Sequence, residues 1–294
     1  MALQSFAPAV FAYDRIMVVA DTDHPASAAF VRELKKDLAP QGEPKFAIDV
    51  VKPSGKPAPS PGQLVVAVGV QALQAAAGTS EHTAILGVLV PQQSYDAIKA
   101  ALPTSRNLSA ITLDQPLPRQ LALLRHTLPQ ARTIGVLLGP SSTAQADALE
   151  QAAPPLAVVS EHAEAELLLL PALKQVLAAS DVLLSLPDPR IFNRNTAQTI
   201  LLTSYRYQKP VIGFSKAYVT AGALAAVFST PQQIARQAAE LILALDPGQA
   251  ALPSVSHPRY FSVAVNHQVA RSLGIEIRDE SALTELLRSE EETP

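Results

Sequence analysis

Short apolar runs rich in β-branched residues recur along this chain, most of them separated by enough residues for a helix, and that rhythm limits the possible folds more than any other feature. RIMVVAD (15–21), KFAIDVV (45–51), QLVVAVG (63–69), AILGVLV (84–90) and LSAITLD (108–114) alternate with helix patterns at 25–39, 70–77, 93–102 and 118–129. Strands without a polar face need cover on both sides, and helix-length connections between them imply a parallel sheet. After residue 132 the pattern starts afresh: RTIGVLLG (132–139), LAVVSE (156–161), DVLLSL (181–186), PVIGFS (210–215) and ALAAVFS (223–229), with helix patterns at 143–152, 167–179 and 195–207. The expectation is an α/β chain of two doubly wound, parallel-sheet, Rossmann-like lobes. Thr230, Pro231 and Gln233 spell a capping box for a helix over 231–245, ended by Asp246-Pro247-Gly248. A strand at 260–265, a helix at 267–273 and an acidic tail follow, the tail reading as one surface helix that frays.

Two such halves need two cores, and 294 residues at 48% hydrophobic and 17% charged content supply them. The lobes are expected at 1–115 with 230–258 and at 116–229 with 259–294, the chain crossing near Asp114-Gln115-Pro116, Ser229-Thr230-Pro231 and 253–258. With 26 acidic and 23 basic residues the net charge is −3, which offers no footprint for nucleic acid or for an anionic membrane face. The absence of cysteine excludes disulfides, thiolate nucleophiles and Cys-ligated zinc or iron–sulfur centres. The six histidines, at 24, 82, 126, 162, 257 and 267, show no ligand spacing, so no metal is expected. No G-x-G-x-x-G follows the first strand and no Walker loop occurs, so no nucleotide cofactor is expected either.

Ligands of open α/β sheets bind at the carboxyl ends of the strands. That rule selects Asp21, Thr22, Asp23 and His24 after the first strand, Gly69 and Gln71 after the third, and Gln92, Gln93 and Ser94 after the fourth. The second half adds Ser141 and Ser142, then Asp188, Arg190, Asn193 and Arg194, then Ser215, Lys216 and Tyr218. Most are hydrogen-bonding rather than catalytic groups. Helix N-termini at 22–26 and 141–144 suit a carboxylate or other small anion, and Asp188 can hold an ammonium group. Plainer readings stand beside these: Asp188 between two prolines shapes a turn, Asn195 is an N-cap with Gln198 completing a capping box, and Arg190 and Arg194 are solvated.

Gly213-Phe214-Ser215-Lys216-Ala217 nearly spells the G-x-S-x-G nucleophile elbow and departs from it in the fifth position. A hydrolase built on Ser215 would need Asp246 with His257 or His267, and its elbow would have to feed a full helix. About seven residues separate Ser215 from the next run, so the segment reads as a ligand loop.

Residues 111–142, 181–243 and 258–275 closely resemble the ABC transporter substrate-binding protein family, whose fold is that of type I periplasmic binding proteins. The resemblance implies two α/β lobes joined by a three-strand hinge, a small solute held in a cleft between them, hinge closure and no catalysis. It also places Pro187-Asp188, the segment 213–215 containing Phe214, Tyr218, and the loops after the first and fourth strands at that cleft. Relatives are exported, so the missing signal peptide suggests a mature or engineered form beginning at an added Met1, working as a monomer in the periplasm. Amino-acid-binding relatives often carry Asp-Pro after the fourth strand, where this chain has Gln92-Gln93-Ser94. The implied function is capture of a small polar, amino-acid-like solute for an ABC permease, with a sensory protein reporting to a membrane receptor as the alternative.

Overall fold

The structure, a computed structural model, describes residues 13, 15–39, 45–55, 57–140, 142–163, 166–245 and 251–292. The chain divides into two compact units, Met1–Leu113 with Thr230–Tyr260 and Asp114–Ser229 with Phe261–Pro294, and so passes from one to the other three times.

Unit 1 is built on strands β1 (Arg15–Val19), β2 (Ala47–Val51), β3 (Gln63–Val68), β4 (Ala84–Val90) and β5 (Leu108–Thr112). They lie in the order β2-β1-β3-β4-β5, every pairing parallel. Helices α1 (Pro25–Asp37), α2 (Val70–Ala77) and α3 (Gln92–Ala100) connect them, and α9 (Pro231–Leu243) joins from later in the chain. Period-two alternation splits the core. Ile16, Val18, Leu64 and Val66 meet Phe30 and Leu34 of α1 and Ile234 and Ala238 of α9, while Met17, Val19, Val65 and Ala67 meet Leu73 and Ala76 of α2 and Tyr95 of α3. A sheet covered on both faces needs apolar residues at every position, which is why β3 is buried throughout.

Unit 2 contains α4 (Leu117–Thr127), β6 (Thr133–Leu138), α5 (Thr143–Ala152), β7 (Ala157–His162), α6 (Glu166–Ala179), β8 (Val182–Leu184) and α7 (Arg194–Arg206). It continues with β9 (Val211–Gly213), α8 (Lys216–Ala221), β10 (Ala225–Phe228), β11 (Ser262–Val265), α10 (His267–Ser272) and α11 (Glu280–Glu292). Its sheet has the order β11-β10-β9-β8-β6-β7. All its pairings are parallel except that of β11, which runs antiparallel to β10 and departs from the expected purely parallel sheet. The chain reaches β11 after passing through unit 1, not by a crossover helix on the same sheet, so the βαβ constraint that enforces parallel pairing does not act on it.

Two further expectations change, and a third falls outside the described residues. The segment after Ser215 forms α8, which at six residues is too short to show a helical period. The terminator Asp246-Pro247-Gly248 lies outside the described residues, and the helix before it, α9, carries the expected Thr230–Gln233 capping box. The acidic tail is no frayed surface helix: α11 buries Leu283 and Leu287 against α4 and β11 and joins the main core of unit 2.

Candidate functional site

Strands β1, β3 and β4 are neighbours in the sheet of unit 1, and each delivers a helix N-terminus to its carboxyl edge. The N-caps are His24, Gly69 and Pro91, and none of them gives a side-chain hydrogen bond to its helix. In globular proteins Ser, Thr, Asp or Asn is preferred there to satisfy the first-turn amides. Thr22 and His24 are exposed beside this edge, as are Asp21, which accepts the Asp23 amide at 3.2 Å, and Asp23, which meets Lys52 at 2.6 Å. Gly69 has φ 87°, a left-handed conformation that favours glycine, and its amide donates to the Val88 carbonyl at 2.8 Å. Gln92, Gln93 and Ser94 form the first turn of α3 and are half-buried; Gln92 Nε2 donates to Asp96 at 2.8 Å. Ser94 also lines a groove of about 540 Å³ with Val70 and Gln74 of α2 and Ile98 of α3.

One feature of this edge has no sequence signal. Leu89 has φ 53°, and the β4–β5 register shifts between Val88 and Val90. A leucine in the left-handed region costs roughly 1–2 kcal/mol, and such strain collects where a backbone must be re-aimed for function. Here the irregularity lies just before Pro91, the N-cap of α3.

The carboxyl edge of unit 2 is arranged differently. Asp188 is 1% exposed. Its Oδ2 accepts from the Ser142 hydroxyl at 3.1 Å and its Oδ1 from the Arg190 amide at 2.9 Å. Ser142 also accepts the Gly139 amide at 2.9 Å, so the β6–α5 and β8–α7 loops are tied together through one carboxylate. Asn193, not Asn195, caps α7: its side chain accepts from the Asn195 and Thr196 amides, and Thr196 closes the capping box. The chain takes Asn193 because it alone also reaches back to the carbonyls of Pro189 and Arg190, at 3.1 and 3.3 Å. Ser141 lies outside the described residues.

Beyond β9 stands an aromatic cluster. Phe214 is stacked on Tyr218 at 5.5 Å, and Phe192 meets both edge-on at 6.0 Å. Phe192 and Tyr218 are buried, while Phe214 is half-exposed. Burial pushes the Tyr218 phenol well above its ordinary value, the nearby Ser185 hydroxyl offsetting part of that, and neither hydroxyl completes a hydrogen bond with another described residue. The membership of Phe192 was missed in the sequence, although Ile191-Phe192 interrupts an otherwise polar run and was the available hint.

Ser215 is the N-cap of α8, its hydroxyl accepting the Tyr218 amide at 3.2 Å. Asp246 of the proposed triad lies outside the described residues, and His267 pairs with Glu280 at 3.7 Å. The cap role predicts that Ser215→Ala lowers stability by about 1 kcal/mol, measured by urea denaturation, and leaves any ester turnover of the preparation unchanged. A near-complete loss of turnover would restore the nucleophile reading.

Residues 62–285 match the model of the family described as ABC transporter substrate binding protein. No curated protein sequence matches the chain. Among solved structures, the chain is similar to the ligand-free, open structure of CD0873, a substrate binding protein with adhesive properties from Clostridium difficile. That likeness has a TM-score of 0.68 at 21% identity and covers 90% of this chain and 95% of the other. It is also similar to an ABC domain from Streptococcus pneumoniae in complex with L-Trp, with a TM-score of 0.61, 20% identity and coverage of 91% and 96%. These likenesses show the fold, that of type I periplasmic binding proteins.

Proposed function

Because the chain belongs to the ABC transporter substrate-binding protein family, we propose that it captures a small polar solute bearing a carboxylate, of the amino-acid kind, and passes it to an ABC permease from the periplasmic side. The observation that carries this reading is the convergence of three helix N-termini without side-chain caps on one sheet edge. Each helix presents roughly half a positive charge and first-turn amides there, which favours an anion without a lysine or arginine. Gly69 lets the backbone approach a ligand closely. Gln92, Gln93, Ser94 and Thr22 supply polar groups beside the amides, and Asp21 and His24 flank them. In unit 2 the proposed contacts are the half-exposed Phe214 ring, backed by Tyr218, Ser215 at the N-cap of α8, and the loop that Asp188, Ser142 and Asn193 hold in shape. The L-Trp in the Streptococcus structure is a carboxylate of this class. Among the described residues no helix is long and apolar enough to cross a membrane.

Thermal unfolding across a panel of amino acids and their amides tests this. A bound carboxylate at about 100 times its dissociation constant adds roughly 2.7 kcal/mol of stability, whereas the matching amide leaves the midpoint in place. Equal shifts from both, or none from any carboxylate, would refute the reading. Phe214→Ala is expected to weaken binding about tenfold, the worth of one good aromatic contact. Tryptophan binding can be followed by the ligand's own fluorescence, because the chain contains no Trp.

A further inference from the structure

One buried guanidinium touches, directly or through one intermediary, every segment by which the chain passes between its units. Arg119 on α4 is 5% exposed. Its Nη1 donates at 2.7 Å to Oε1 of Gln115, which stands two residues past the first passage. Gln115 in turn donates from Nε2 at 3.0 Å to Ser229, the last residue before the second passage. The guanidinium lies 4.1 Å from the ring centre of Phe261, the first residue after the third passage. Its charge is met by Glu291 of α11, whose two oxygens accept from Nε at 2.5 Å and Nη2 at 2.9 Å. The same helix reaches Phe261 again: Arg288 donates to its carbonyl at 3.5 Å and stands 5.8 Å from its ring centre. Gln120 Nε2 holds the Gln115 carbonyl at 2.9 Å.

We infer that Arg119 and Glu291 are positioning residues that lock the unit 2 ends of the three passages into one plate, with α11 as the part that holds the plate together. A cation this buried keeps its place only while its partners do. The fork geometry fixes its orientation, and so fixes Gln115 and Phe261 against each other. Rotation between the units must then be absorbed on the far side of each passage, the few-residue hinge that such folds use. The inference does not depend on which solute is bound.

The chain has no cysteine, so two can be introduced cleanly at exposed helix positions, one per unit, as Lys35→Cys and Thr199→Cys. Spin labels there report the distribution of distances by dipolar electron paramagnetic resonance. Glu291→Gln is expected to broaden that distribution, because the amide removes the balancing charge and one of the two acceptors. Gly135→Ala, which strains unit 2 at β6 away from this network, is expected to leave the width unchanged although it lowers stability. Should Glu291→Gln fail to fold, Ser229→Ala removes the link to Gln115 without stranding a charge and is expected to broaden the distribution as well. An unchanged width in the Glu291 or Ser229 variant, or equal broadening by Gly135→Ala, overturns the inference, since the network would then contribute stability alone.

Discussion

Gly139→Ala is expected to abolish solute binding, while Gly135→Ala, on the same strand-and-loop segment, destabilises unit 2 to a similar degree and leaves binding intact. A methyl group at Gly139 would fall 2.5 Å from Asp188 Oδ2 and 2.9 Å from its Cγ. The carboxylate is buried and held by Ser142 and the Arg190 amide. It can retreat only by taking the β8–α7 loop with it. At Gly135 the methyl would meet Val176 Cγ1 at 2.4 Å and Ser180 Oγ at 2.5 Å, which pushes on α6 instead. Overpacking of either kind costs roughly 1–3 kcal/mol, so stability does not separate the two variants. Binding does, if the Asp188 loop belongs to the site. Urea denaturation with a thermal-shift titration of the best amino-acid ligand measures both quantities. Retained binding in Gly139→Ala would remove the Asp188 loop from the site.

Arg106→Ala is expected to cost unit 1 about 3 kcal/mol, the upper end of what stranding a buried hydrogen-bond acceptor costs. Arg106 is 4% exposed and donates to the carbonyls of Ala76 and Ser80 and to Thr79 Oγ1, at the C-terminus of α2. A cation there meets the negative end of the helix and the carbonyls that no later turn can satisfy. Burial lowers its pKa, the charge of Glu81 opposing that, so some desolvation cost is recovered when the cation is removed. Arg106→Met separates the causes. Methionine fills much of the space but supplies no donor, so it should recover less than half of the loss if stranded acceptors dominate. Full recovery would mean that packing alone was lost.

The βα rhythm was legible because its cause is local. A sheet covered on both faces demands apolar residues at every position, and that is visible without knowing the neighbours: β4 is buried at six of its seven positions and the seventh is half-buried. Capping boxes are local too, as Thr230 and Gln233 show. The choice between Asn193 and Asn195 was not, because it turned on carbonyls that Asn193 reaches only after the Pro189 turn has formed. Of the polar groups picked after each strand, Thr22, His24, Asp188 and Asn193 lie in loops, whereas Gln71, Gln92, Gln93, Ser94, Arg194, Lys216 and Tyr218 stand in the helices that follow. Whether each faces outward or inward depended on distant partners, since Thr22 and His24 stay exposed while Asp188 is taken up by Ser142, forty-six positions away.

What the order of residues determined by itself is the sequence of strands and helices, the six-residue α8 excepted, and the placing of polar groups at strand ends, since both follow from periodicity over a few residues. Tertiary structure alone decided that β11 turns back against β10, that Leu89 is held in a left-handed conformation and that an acidic tail becomes a docked helix. Each of those depends on energies shared between residues far apart in the chain. Glu291 and Arg119, 172 positions apart, meet only because Leu283 and Leu287 have already bound α11 to the core.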